Sequence, residues 1–128
     1  MDKPFDIRER TFVFACSTIE AFPSDRHLGY VTLRVWSQLI SAATSGGAHL
    51  EEAEAAASRA HFVTLNRGAL RELRETRYWL RVVIATKLRG HEQAAALLGE
   101  AGELVAIVTT IVKRASAKLS RRSPQPGD

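Results

Sequence analysis

Six arginines carry the clearest chemical signal in this sequence. Arg59, Arg67, Arg71, Arg74, Arg77 and Arg81 fall within about 120° of one another when residues are plotted at 100° each around a helix. From first to last they span about 33 Å at a helical rise of 1.5 Å per residue. Guanidinium forks match phosphate oxygens, and a row of them on a rigid rod can follow a phosphate backbone. Tyr78 sits inside the stripe and Trp79 flanks it; a tyrosine ring can stack on an exposed base. A second reading stays open beside this one. Glu72 and Glu75 stand three or four residues from several of the arginines, so ion pairs within the helix or between subunits are available. Tyr78 and Trp79 are also residue types common at subunit interfaces. A smaller basic group, Lys113, Arg114, Lys118, Arg121 and Arg122, either adds phosphate contacts or complements the negative end of a helix dipole.

Other chemistry has less support. No Glu has a His three residues on, the pairing that di-iron helical bundles use. His27, His49, His61 and His91 lack zinc-ligand spacing, and Cys16 is alone. His49 reads as a packed or interfacial histidine, and Cys16 reads as core. Gly46-Gly47 lacks the Lys-Ser/Thr of a phosphate-binding loop. Glu51, Glu52 and Glu54 read as a solvated face. No cofactor, metal, small-molecule substrate or enzymatic activity is expected.

Length and charge bound the rest. The chain has 128 residues, with 18 Lys+Arg against 14 Asp+Glu, a formal net charge of +4. That is one domain's length. A chain of this size buries roughly 68% of its unfolded surface and needs no disulfide or metal staple. A single cysteine suits a reducing compartment. No apolar run is seen to approach the 18 or so residues that span a bilayer. The stretch Met1-Asp2-Lys3-Pro4-Phe5-Asp6 lacks the apolar segment of a signal peptide. A soluble, cytoplasmic domain without membrane partners is expected.

The elements that would position the arginines are helices. No proline falls between Pro23 and Pro124, and the intervening stretch is rich in Ala, Leu, Glu and Arg. A first helix is predicted over residues 6–22, with Asp6 as N-cap, Glu9 completing a capping box, and Pro23 as stop. Its apolar stripe is Phe12, Ala15, Ile19 and Phe22. A second helix is predicted from Ser24 or Asp25 to about Ala57. Its main stripe is Leu28, Val31, Val35, Leu39 and Ala42; Leu33, Trp36 and Ile40 widen it to about 200°, more than a monomeric bundle needs. That surplus points to an oligomer or to a helix sunk deep in its own bundle. Gly46 and Gly47 would cost roughly 2 kcal/mol inside a helix, yet the stripe keeps its phase through Gly46 to Leu50 and Ala53. A continuous or kinked helix is expected there, with small residues admitting a close neighbour.

A third helix is predicted over residues 58–88, with Phe62, Leu65, Ala69, Leu73, Leu80 and Val83 inward and Gly90 just past its end. A fourth is predicted over 91–118, with Leu97, Ala101, Leu104, Val108, Ile111 and Ala115 inward and Gly99 and Gly102 as possible points of close packing. Residues 1–5 are expected to be flexible and 120–128, basic then Pro/Gly-rich, disordered. Short connections between long helices make neighbours antiparallel. The expected fold is all-α, an up-down-up-down four-helix bundle over residues 6–119.

Three stretches carry a resemblance: residues 45–53 (Ser-Gly-Gly-Ala-His-Leu-Glu-Glu-Ala), residues 58–62, and residues 69–80 with their Glu-Thr-Arg-Tyr-Trp-Leu run. Together with Glu100-Ala101-Gly102-Glu103-Leu104-Val105 and Ile111-Val112-Lys113, they resemble the bacterial four-helix-bundle family of 23S ribosomal RNA intervening-sequence proteins. The family-motif positions are His49, Glu52, Phe62, Glu72, Glu75, Tyr78 and Trp79. The family usually has Asn where this chain has His49. The resemblance implies a homopentamer around a central channel. It also suggests RNA binding, since some members are encoded inside ribosomal RNA genes. A more distant similarity is to the accessory variability determinant of diversity-generating retroelements, a pentamer that binds nucleic acid. The lead expectation is a non-enzymatic, oligomeric RNA- or DNA-binding or accessory protein. The alternative is a structural or protein-interaction scaffold in which the arginines are paired with glutamates.

Overall fold

The structure, a computed structural model, describes residues 6–24 and 27–121. Four α-helices run in order: α1 (Ile7–Glu20), α2 (Gly29–Glu54), α3 (Arg59–Ala85) and α4 (His91–Arg121). No strand occurs among the described residues. α2 packs on α3, α3 on α4, and α1 lies against both α2 and α4. Each helix thus touches its two neighbours around a square, as in an antiparallel four-helix bundle. The expected flexible 1–5 segment and most of the expected tail lie outside the described residues. Ser120 and Arg121, placed in that tail by the sequence, are the last turn of α4.

The helix starts follow local chemistry. Asp6 caps α1 by accepting from the backbone N–H groups of Arg8 and Glu9 at 3.0 and 3.4 Å. Ser58 caps α3 by accepting from His61 N–H at 3.0 Å. Both satisfy donors that the first helical turn leaves open. α2 departs from expectation: it starts at Gly29, after Leu28, with no side-chain cap. It then runs unbroken through Gly46 and Gly47. Gly46 is where α3 comes close, since a Cβ there would stand 3.3 Å from Leu73. Gly99 and Gly102 differ, because a Cβ on either would meet nothing within 4 Å. The expected close packing at those two positions is absent among the described residues.

The core is centred on Trp36, Leu39, Leu73, Leu80, Val83, Leu104 and Val108, all fully buried. The inward faces of α3 and α4 match the predicted stripes at Ala69, Leu73, Leu80, Val83, Ala101, Leu104, Val108 and Ala115. Phe62, Leu65, Leu97 and Ile111 lie half-buried at the edges. The predicted face of α1 is wrong by about a quarter of a turn at 100° per residue. Its buried residues are Thr11, Phe14 and Thr18, while Phe12 and Ile19 are exposed. Threonines can face a core here because their hydroxyls donate back to main-chain carbonyls, Thr11 to Ile7 and Thr18 to Phe14. On α2 the predicted stripe holds from Leu39 through Ala42, Gly46, Leu50 and Ala53, all buried, as is Trp36; only its first turns differ, where Thr32 faces inward and Val31 and Leu33 are exposed. Cys16, read as core, is half-buried in a groove between α1 and α2 beside Phe12, Ala15, Ile19 and Thr44.

α4 also corrects the reading that no stretch approaches membrane-spanning length, because by length and composition it is long and apolar enough to cross a bilayer. Its apolar residues have a local use. Ala94, Ala101, Leu104, Val108, Val112 and Ala115 are buried in the bundle, and Leu97, Leu98 and Val105 pack at the margin of the core.

One end of the bundle is locked by Trp36. Its indole N–H donates to the Arg89 carbonyl at 2.8 Å, and Phe22 meets its ring edge-on at 5.9 Å. The α3–α4 connection passes directly over this ring. Gly90 has φ +89, and a Cβ there would lie 2.7 Å from the indole and 3.2 Å from Pro23. α3 ends at Ala85, three residues before its predicted end, and Lys87 takes a left-handed φ of 54 on the way to Gly90.

These contacts set opposite signs for two glycine substitutions. Gly90→Ala combines a strained φ with a clash against a buried ring, and should lower unfolding free energy by about 2 kcal/mol or more. Gly99→Ala, in mid-helix with open space, should raise it by about 0.5–1 kcal/mol. Urea denaturation followed by circular dichroism measures both. A Gly90→Ala variant as stable as the parent would contradict the packing described for Trp36.

Candidate nucleic-acid interface

The six arginines fall on one exposed edge of α3, and all six are solvent-exposed. The opposite side of the helix is held by its neighbours. Leu73, Leu80 and Val83 enter the core, and Gly68 lies under the His49 ring of α2. The stripe therefore points outward on the side of α3 nearest α4.

The pairing of these arginines separates the two readings left by the sequence. Arg71 stands 3.6 Å from Glu72, and Arg67 donates to the Ser116 hydroxyl on α4 at 3.2 Å. Among the described residues, Arg59, Arg74, Arg77 and Arg81 have neither an ion pair nor a side-chain hydrogen bond. Glu75, the other candidate partner, accepts instead from the Trp79 indole N–H at 3.1 Å.

Five other acids are engaged around α1. Arg10 on α1 donates through Nε to Glu100 at 3.0 Å and through Nη2 to Glu103 at 2.9 Å. The hydrogen bond to Glu100 is the largest cause that raises the Arg10 pKa above its ordinary value. Arg8 stands within 3.8 Å of Asp6, Glu51 and Glu54. Carboxylates thus collect around α1, on the far side of the bundle from the stripe. Stepping back along α4 by whole turns from Ser116 and Val112 gives Thr109 and Val105, with Lys113 beside them. None of these is acidic, so α4 offers the stripe no counter-charge.

Between α3 and α4 the stripe borders a recess of about 350 Å³, lined by Arg67, Leu70, Arg71, Arg74 and Val112. Leu70 and Val112 form its apolar floor, each only 9% exposed. Tyr78 stands 55% exposed within the stripe. Its ring meets Trp79 edge-to-face, with centroids 5.2 Å apart and planes at 72°. The recess left no mark in the sequence, because its floor comes from two helices. The Arg10–Glu100 contact bridges 90 residues and was equally invisible.

The family-motif positions do not converge on one site. His49 is half-buried, with Nδ1 donating to the Ser45 carbonyl at 2.8 Å and its ring over Gly68. Glu52 is exposed and makes no bond with it. Phe62 borders a larger recess of about 620 Å³ beneath the start of α1, together with Ile7, Leu50, Asn66, Ile111 and Arg114. Glu72, Glu75, Tyr78 and Trp79 form a contiguous patch on α3. Among the described residues no three His, Cys, Asp or Glu side chains stand where they could hold a metal ion.

Comparison with known proteins agrees with this architecture. A crystal structure of a protein of unknown function from the S23 ribosomal protein family, from Bacteroides thetaiotaomicron VPI-5482, superposes with a TM-score of 0.74. The two are 29% identical, over 84% of this chain and 99% of that one. No curated protein matches significantly. The sequence profile for the 23S rRNA-intervening sequence protein matches residues 5–110. That span is most of the chain and includes the stretches that carried the resemblance except Ile111-Val112-Lys113, which lies just beyond it. The chain belongs to the 23S rRNA-intervening sequence protein family.

Proposed function

We propose that this protein is a non-enzymatic, sequence-independent nucleic-acid-binding or accessory protein whose contact surface is the arginine edge of α3. One observation carries the reading: Arg59, Arg74, Arg77 and Arg81 project from a rigid helix without an acidic partner among the described residues, while the acids collect around Arg8 and Arg10. A solvated or scaffold face would be expected to interleave its charges. The family's name points to RNA as the first nucleic acid to test.

The protein acts as a homo-oligomer in this proposal, the pentamer that the family resemblance implies, in the cytoplasm. The supporting observation is the apolar side chains left on the surface of α1 and the start of α2. Phe12, Val13, Ile19, Tyr30, Val31 and Leu33 are each about half exposed or more. Single exposed apolar residues are ordinary, but six of this size on two adjacent helices suit an interface between copies. A ring of copies would multiply the positive edge.

Two measurements test these statements. Fluorescence anisotropy with labelled RNA should show an affinity that falls on the order of a hundredfold between about 50 and 200 mM salt, as expected for five or so phosphates neutralised. The Arg71→Glu/Arg74→Glu/Arg81→Glu variant should lose that binding while keeping its helicity and its assembly. No binding at tens of micromolar in low salt would favour the scaffold reading. Light scattering after size exclusion should give a mass several times that of one chain, and Phe12→Glu/Ile19→Glu should reduce it. A parent protein with the mass of a single chain would refute the association.

A further inference from the structure

We infer that the α3–α4 face takes a single unpaired polynucleotide strand in preference to a duplex. The inference rests on the nucleic-acid reading above and names the form of the ligand. It comes from two features that phosphate binding alone leaves without a use.

The first is the recess between α3 and α4. Three guanidiniums, of Arg67, Arg71 and Arg74, surround a floor made by Leu70 and Val112. A ligand offering only phosphates would use the rim and leave the apolar floor in water. A nucleobase has a flat apolar face, and guanidinium planes stack on such faces as well as pairing with phosphates. The second feature is Tyr78. It follows Arg74 by one helical turn and Arg71 by about two, and precedes Arg81 by three residues. Along the edge of α3, charged forks therefore alternate with places for a ring.

Tyr78 is also held in position. Its ring packs edge-on against Trp79, whose indole N–H is tied to Glu75 and whose body is packed against the core. A ring ordered in advance loses little freedom when a base stacks on it. In a duplex the base faces are stacked on one another, leaving backbone and groove edges for a protein to touch. Only an unpaired strand can place one base in the recess and another on Tyr78 while its phosphates follow the arginines.

The test compares an unstructured labelled RNA strand with the duplex it forms with its complement, at one fixed low salt concentration. The full chain and its Tyr78→Ala and Tyr78→Phe variants are titrated against both. The strand should bind at least about tenfold more tightly than the duplex. Tyr78→Ala should weaken strand binding roughly tenfold, leave duplex binding unchanged and leave the salt slope unchanged, because no phosphate contact is removed. Tyr78→Phe keeps the ring and should keep the affinity. Equal or tighter duplex binding, or a Tyr78→Ala effect that is the same on both forms, would overturn the strand preference. If both forms bind equally and lose affinity in the triple arginine variant, the strand preference fails and the nucleic-acid reading stands. If neither form binds, the nucleic-acid reading fails with it.

Discussion

The bundle depends on a single buried indole. Trp36 fills the end of the core where the chain enters α2 and where α3 turns into α4. Burying so large a ring is strongly favourable only if its N–H finds an acceptor, and the Arg89 carbonyl supplies it. That bond brings the α3–α4 connection down onto the ring, and the approach is close enough that position 90 must lack a side chain. The connection in turn sets the rotation of α3 against α4. With that rotation Leu73, Leu80 and Val83 go inward and the arginines cannot turn toward the core. The exposed edge is the other face of that same helix, and its Arg81 lies close to this end of the bundle.

Charge is distributed with the same economy of position. The chain carries only a modest excess of positive charge, so its field would be weak if signs were interleaved. Instead Asp6, Glu51, Glu54, Glu100 and Glu103 close around two arginines of α1. These pairs tie the short α1 to the C-terminal end of α2 and to the first half of α4. They also withdraw carboxylates from the stripe. Exposed pairs of this kind contribute at most about 1 kcal/mol each to stability, so their larger effect is on the field. A small net charge becomes one strongly basic edge, the arrangement that draws in a polyanion.

Much of the fold was legible because three of the helices are long and strongly patterned. The inward residues of α3 and α4 recur at helical spacing, and Ser58 and Gly90 mark real boundaries. The unbroken α2 was legible from the phase of its stripe through Gly46. The face of α1 was not, for a chemical reason: Thr11 and Thr18 count as polar in any pattern, yet their hydroxyls are satisfied by their own helix. The most apolar stripe of α1 was therefore assigned to the core, when it lies on the surface beside α2. The arginine stripe was readable as a direction on one helix. That Arg59, Arg74, Arg77 and Arg81 lack an acidic partner among the described residues was not, because that depends on where Glu100 and Glu103 go, and they are drawn to a residue far away in sequence. The recess was hidden for the same reason, since Leu70 and Val112 meet only in the folded chain.

The central claim is that the arginines of α3, and not those of α1, meet the ligand. An NMR titration that follows the side-chain Nε–Hε signals of the arginines tests it most directly, with Arg10 as an internal reference already engaged by Glu100 and Glu103. On addition of the RNA strand, the signals of Arg67, Arg71, Arg74, Arg77 and Arg81 should move together and saturate at one affinity, while Arg10 stays in place. Movement confined to Arg8 and Arg10, or an α3 set that remains still at saturating RNA, would contradict the account.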